Sequence, residues 1–167
     1  MKHIRFREEL PQDQEFLYRL YASTRMEEMR MVSWNAAEIE SFLRSQFELQ
    51  TAHYRKHYPG AFYLLICDGE EPIGRFYVDR ALEDIHVLDI TLVPERRGQG
   101  IGASILGDLL TEAAASGKKV SLYVEKFNPA QHLYARLGFR PVKDEGVYWL
   151  LESGGADSGA AQPPTPG

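Results

Sequence analysis

The chain has 167 residues, 44 % hydrophobic and 26 % charged, with a formal net charge of −5. That length suits one globular domain with a sizeable core, and the composition excludes a chain too polar to fold. An acidic chain gains nothing from counterion release on nucleic acid, and no apolar run approaches the roughly 18 residues of a membrane span, so neither is an expected partner.

The opening run Met1-Lys-His-Ile-Arg-Phe6 has no signal-peptide core. The single cysteine, Cys67, excludes a disulfide framework and a cysteine metal cluster. It lies in the apolar run Phe62–Cys67, where a buried strand thiol is expected. A reduced, cytoplasmic setting and no bound metal follow as expectations. The oligomeric state is left open, a homodimer being one allowed assembly.

Ile4 to Phe6 alternates and reads as a first strand. Pro11 opens a helix, because its missing N–H is harmless in a first turn. Phe16, Leu17, Leu20 and Tyr21 give that helix its apolar stripe. The stretch from Arg25 to Trp34 has no clean period and reads as a loop. Asn35 with Glu38 resembles a capping box, and a helix follows to about Tyr58. Ile39, Leu43, Gln46, Gln50, His53 and His57 fall on one narrow stripe of it. That stripe is apolar first and polar later. It reads equally as a face running from the core into a wet cleft or as a solvated helix end.

Phe62–Cys67 and Ile73–Val78 flank Asp68-Gly69 as a hairpin. A strand over 85–93 follows. Gly100–Ala115 is helical, with Ile101, Ile105, Leu106, Leu109 and Leu110 inward. Lys119–Glu125 is a strand, a short helix ends at Gly138, and Val142 with Val147–Leu151 closes the sheet. The predicted order is β-α-α-β-β-β-α-β-α-β-β, a mixed α/β sheet with helices on both faces. One domain is expected over 1–152. From Ser153 to Gly167 the chain is rich in Gly, Ala and Pro and reads as a disordered tail.

The chemistry gathers at Leu92-Val-Pro-Glu-Arg-Arg-Gly-Gln-Gly-Ile-Gly-Ala103. A strand ends, three glycines recur at every second position, and a helix begins. Backbone N–H groups at a helix N-terminus favour an anion, and glycines let a diphosphate approach closely. Arg96 and Arg97 add charge at the mouth. A Walker A loop fails, because no Gly-Lys pair follows Gly98 at the needed distance. A dinucleotide fingerprint is met by Gly98, Gly100 and Ala103, with Glu125 about 20 positions on. The pattern [QR]-x-x-G-x-[GA] is met by Arg97, Gly100 and Gly102.

The downstream chain favours the last pattern. Asn128-Pro-Ala-Gln-His-Leu-Tyr-Ala-Arg-Leu-Gly-Phe139 resembles the second motif of the GNAT acetyltransferase superfamily, N-x-x-A-x-x-[LF]-Y-x-x-x-G-F. The resemblance is carried by Asn128, Ala130, Leu133, Tyr134, Gly138 and Phe139, with Asn128 and Ala130 one residue closer than in the pattern. Leu92 to Gly102 resembles the same superfamily's V-x-P-x-x-R-G-x-G-[IL]-G, with Leu for Val. The dinucleotide reading stands beside it as an alternative, together with a non-catalytic acyl-CoA sensor that would keep the loop and lose the acid.

The resemblance implies an acetyl-CoA-dependent N-acetyltransferase in which a primary amine attacks the thioester directly. It implies that the strand before the loop and the next parallel strand splay apart around pantetheine. The backbone of Leu92 and Val93 would pair with pantetheine. Arg97, Gly98, Gln99, Gly100, Ile101 and Gly102, with Ala103, would hold the pyrophosphate. Asn128 would bond pantetheine or the start of its helix. Tyr134 matches the family tyrosine that protonates the leaving thiolate.

The general base is left open among Asp89, a lone carboxylate among Leu88, Ile90 and Leu92, His86 on the same strand, and, through water, Glu27, Glu28 or the histidines of the long helix; many members need none. The loop between the first two helices lines the acceptor site in this family. Glu27 and Glu28 would suit a cationic amine, small-molecule or peptidyl. Trp34 reads equally as a cover over substrate or as a core anchor. Gln46, Gln50 and His53 complete the expected acceptor set.

Overall fold

The computed structural model describes residues 3–154. The strands are β1 (Ile4–Glu8), β2 (Phe62–Asp68), β3 (Glu71–Arg80), β4 (Asp84–Leu92), β5 (Lys119–Glu125), β6 (Arg140–Glu145) and β7 (Tyr148–Gly154). The helices are α1 (Gln14–Met29), α2 (Ala36–His57), α3 (Ile101–Ala115) and α4 (Gln131–Arg136). This is the predicted order. The strands form one mixed sheet in the order β1-β2-β3-β4-β5-β7-β6. Pairing is antiparallel for β1–β2, β5–β7 and β6–β7, and parallel for β4–β5.

The chain divides into two compact units. Among the described residues, the first holds 3–76 and 90–97; the second holds 77–89 and 98–154. Strands β3 and β4 each contribute to both, so a boundary inside a strand leaves no composition shift to read.

In the first unit, α1 and α2 pack their apolar stripes together with β2. Leu17, Tyr18, Tyr21, Met29, Leu43, Phe47, Leu65 and Cys67 form that core. Helix α2 starts where the capping box predicts. Asn35 Oδ1 accepts from Glu38 N at 2.9 Å, and Glu38 Oε1 accepts from Asn35 N at 3.2 Å. Two orphan N–H groups are thereby satisfied.

In the second unit, α3 packs on β5 and β7. Ile101, Ile105, Leu106, Leu109 and Ala113 are its buried residues, and Val120, Leu122, Val124 and Leu151 are buried on those strands. Strand β7 runs through Ser153 and Gly154, which pair with Val120 and Lys119. The tail boundary expected at Ser153 therefore falls two residues early. Strand pairing uses the backbone, which the side-chain composition of 153–154 does not reveal. The rest of the expected tail, 155–167, lies outside the described residues.

Candidate active site

The glycine turn forms as its spacing demands. A 3-10 turn, Pro94–Arg96, follows β4, and the chain then turns at Gly98 and Gly100, with φ of 72° and 82°. Those are left-handed values that disfavour any side chain. Gly100 is the N-cap of α3, so the N–H groups of Ile101, Gly102 and Ala103 open that helix without intrahelical partners. A Cβ built at Gly98, Gly100 or Gly102 meets nothing within 4 Å. The turn thus presents bare backbone beside open space, which fits a bulky anion.

The two arginines divide their work. Arg96 donates to Asp68 Oδ2 at 2.7 Å and to Glu71 Oε2 at 3.0 Å. It ties the 3-10 turn to the β2–β3 hairpin, so the charge assigned to it at the mouth is already matched by two carboxylates. Arg97 Nε donates to the Leu92 carbonyl at 3.0 Å, and Nη2 reaches Ser23 Oγ at 3.3 Å. Arg97 remains exposed. The Val93 N–H is taken by the Ile73 carbonyl at 2.8 Å. That donor is engaged in the sheet.

In the second unit, β4 and β5 pair from Asp84↔Lys119 to Val87↔Leu122. Beyond that register lie Leu88 and Asp89 of β4. Tyr123, Val124 and Glu125 of β5 continue to pair with β7 alone. Tyr134 stands on α4, 9 % exposed, with its ring edge-on to Phe139 at 5.9 Å. Burial pushes its phenol up to about 12, and the Asp89 carboxylate adds to the rise. Asp89 and Tyr134 are therefore electrostatically coupled. Asn128 Oδ1 accepts from Ala130 N at 2.9 Å, the turn-capping alternative for that side chain.

His86 is placed differently. Its Nδ1 lies 2.8 Å from Ser121 Oγ, and Ser121 Oγ lies 2.9 and 2.8 Å from the two Asp84 oxygens. Ser121 is buried, and the Tyr123 ring stands edge-on to His86 at 5.4 Å. Burial lowers the imidazole below its ordinary value, while the charges of Asp84 and Asp79 act the other way.

The expected acceptor residues all belong to the first unit, and their surroundings differ from expectation. Glu27 and Glu28 lie in the last turn of α1, not in a loop. Each is paired, Glu27 with Arg30 at 2.8 Å and Glu28 with Arg25 at 3.3 Å. The i,i+3 spacing across 25–30 gives these pairs and lets the helix continue where no apolar period was visible. Trp34 is 42 % exposed and stacks edge-on with Phe42 at 5.3 Å, so it is not a core anchor. Gln50 Oε1 accepts from the buried Arg75 at 2.8 Å. Gln46 is half-buried, and His53 is exposed beside His57, ring centroids 4.3 Å apart.

Comparison with known proteins resolves what the glycine spacing leaves ambiguous. Residues 17–139 match the model of the acetyltransferase (GNAT) family. The chain is an acetyltransferase of the GNAT family.

The PaiA N-acetyltransferase of Thermoplasma acidophilum, solved with coenzyme A, has a similar fold: TM-score 0.66 at 20 % identity, over 91 % of this chain and 99 % of that one. An acetyltransferase from Thermus thermophilus superposes with TM-score 0.65 at 21 % identity, over 92 % and 99 %. In sequence, the chain is 27 % identical over 96 residues to a ribosomal protein bS18 alanine N-acetyltransferase of Haemophilus influenzae, covering 57 % of this chain. The chain spans 66 % of the length of that relative.

GNAT membership makes acetyl-CoA the acyl donor. The open turn at Gly98–Gly102 fits the donor's diphosphate. Among the described residues, no group of three or more His, Cys, Asp or Glu could hold a metal ion, and no helix is long and apolar enough to cross a membrane. The sequence did not single out Ser121 and Asp84 as the hydrogen-bonded neighbours of His86. The available signal was the alternation of Asp84 with His86 on β4; the partner across the sheet has no sequence signature.

Proposed function

We propose that this GNAT acetyltransferase moves the acetyl group of acetyl-CoA to a primary amine by direct attack on the thioester. The observation that carries the reading is the turn at Gly98–Gly102, left-handed and bare at the start of α3. The Arg97 guanidinium and the N–H groups of Gly98 to Ala103 hold the pyrophosphate, with Gln99 and Ile101 in that loop. The strand end at Leu92 and Val93 guides pantetheine. The amine loses a proton, its nitrogen bonds the acyl carbon, and the carbon–sulfur bond breaks. Tyr134 Oη–H then protonates the departing sulfur. A phenol held near 12 keeps its proton at every pH where the transfer runs, as a donor must.

The acceptor is a small-molecule or peptidyl amine. The named activity of the Haemophilus influenzae relative makes an alanine-initiated peptide the first candidate. Glu27 and Glu28 support a cationic acceptor less than their sequence suggests, since arginines already pair them. Trp34, with its half-exposed ring, and His53 are the acceptor-side groups that stay accessible. A cytoplasmic location goes with this reading.

The test is thiol release from acetyl-CoA across a panel of amines that includes an alanine-initiated peptide and small polyamines. Turnover with one class is expected. A protein that is stabilised by acetyl-CoA yet releases no thiol with any amine would be the sensor instead.

A further inference from the structure

The chain leaves β4 through a short run with few backbone restraints. Arg96 N donates to the Val93 carbonyl at 3.0 Å, and Arg97 N to the Pro94 carbonyl at 3.3 Å. Gly98 and Gly100 follow, both left-handed. Glycine loses more conformational freedom on ordering than any other residue. A turn built on two of them is well ordered only if its approach is fixed by something else.

The Arg96 side chain fixes it. Nη1 donates to Asp68 Oδ2 at 2.7 Å and Nη2 to Glu71 Oε2 at 3.0 Å. Asp68 is the last residue of β2 and Glu71 the first of β3, so one guanidinium bridges both sides of that hairpin turn. The other Asp68 oxygen, Oδ1, accepts from His3 N at 3.1 Å. The Arg96 and Asp68 side chains are only 23 % and 22 % exposed, so water screens this pair less than an open surface pair. Arg96, and after it the His3 N–H, hold the Asp68 carboxyl below the usual carboxylate range, so the pair stays ionised at neutral pH. All of these residues belong to the first unit.

We propose that Asp68 and Glu71 are positioning residues for the acyl donor: through Arg96 they hold residues 93–97 in place before acetyl-CoA arrives, so that less ordering is left for the diphosphate to impose. The inference rests on the acetyltransferase reading above, in which the glycine turn takes that diphosphate. Neither carboxylate is asked to touch the donor. Preorganisation of this kind acts on affinity, because the ordering cost is met in the free protein. It does not act on the bond-making step once the donor is seated.

The sign of the effect separates this latch from simple electrostatics. Asp68 and Glu71 carry the same charge as the diphosphate. Acting through charge alone, their removal would relieve repulsion, release Arg96 for the anion and strengthen binding. Acting as a latch, their removal weakens it.

Calorimetry with acetyl-CoA on the full chain reads that sign. Asp68→Ala should weaken affinity about tenfold, the loss of one charge-assisted hydrogen bond. Asp68→Asn keeps an oxygen for Nη1 and should weaken it less. Adding Asp68→Ala to Arg96→Gln should cost no more affinity than Arg96→Gln alone, because both open the same latch. With the fastest amine of the panel, Asp68→Ala should raise the acetyl-CoA KM and leave kcat and the amine KM in place. Hydrogen exchange gives a readout apart from activity. The Arg96 and Arg97 amides should exchange faster in free Asp68→Ala than in the free wild type, and alike once acetyl-CoA saturates both.

Tighter or unchanged acetyl-CoA binding by folded Asp68→Ala overturns the inference. So do losses that add in the double variant, or a fall in kcat that matches the fall in affinity. If Asp68→Ala does not fold, Asp68→Asn and Glu71→Gln carry the same sign test. Gly100→Val keeps the two failures apart. If it loses affinity and the Asp68 variants do not, the latch alone is wrong; if it binds as the wild type does, the diphosphate reading falls and this inference with it.

Discussion

Gly74 on β3 leaves no room beside Thr91 on β4. A Cβ on Gly74 would lie 2.3 Å from the Thr91 carbonyl oxygen and 3.2 Å from Leu92 Cα. The Val93 N–H to Ile73 bond of 2.8 Å fixes the same strand end. The backbone leading into the glycine turn is therefore seated against a glycine. Gly74→Ala must shift β4 at Thr91 and should cost about 1–3 kcal/mol, the range for overpacking a well-filled site. Chemical denaturation measures this. A change under about 0.5 kcal/mol, the size of an ordinary surface substitution, would mean that β4 yields without strain.

Gly100 tests the anion cradle. Its φ of 82° and the open space around it allow backbone approach. Gly100→Val places a branched side chain there in a left-handed conformation. Acetyl-CoA affinity should fall tenfold or more, which corresponds to about 1.4 kcal/mol. Calorimetry on variant protein with a native circular-dichroism spectrum decides it. Equal affinity would move the diphosphate elsewhere.

Tyr134→Phe removes the proposed proton donor and keeps the ring that packs on Phe139. Turnover should fall by roughly 10²-fold while acetyl-CoA affinity holds. Undiminished turnover with the preferred amine would take Tyr134 out of the acid role.

Asp89 sets the alkaline side. Burial is the larger cause of the raised Tyr134 phenol, and the Asp89 charge is the second. A negative neighbour disfavours phenolate, so Asp89→Asn should lower the Tyr134 value while burial holds it above 10. Activity that needs the phenol is lost as pH rises through that value. The variant should lose it at lower pH than the wild type. Phenolate absorbance of Asp89→Asn, with and without Tyr134→Phe, isolates this one tyrosine. An alkaline limb that stays in place, or moves up, contradicts the coupling.

Gln50 and His53 separate packing from recognition. Gln50 accepts from the buried Arg75, so Gln50→Ala withdraws one acceptor from a guanidinium held away from water. A loss of about 1–3 kcal/mol is expected. His53 is exposed, and His53→Ala should stay within about 0.5 kcal/mol. Denaturation midpoints and the acceptor KM are read together. A raised KM for Gln50→Ala without lost stability would support Gln50 as an acceptor-site residue.

The element order, the capped start of α2 at Asn35, the glycine turn and the place of Tyr134 on a short helix were all legible in the chain. Each rests on local chemistry: apolar period, a capping pair, or left-handed positions that glycine alone fills easily. What each side chain meets was not local. Arg96 finds Asp68 and Glu71 on the hairpin, Gln50 finds Arg75, and Val93 gives its N–H to Ile73. Glu27 and Glu28 found arginines one helical turn away once α1 ran on through them. Ser121 is an ordinary strand serine until parallel pairing sets it between Asp84 and His86. The sequence by itself determined the elements, the family and the glycine turn, because short-range periodicity and backbone sterics encode them. Only the tertiary structure decided which charged and polar groups are already satisfied, because that depends on strand register across many residues of chain.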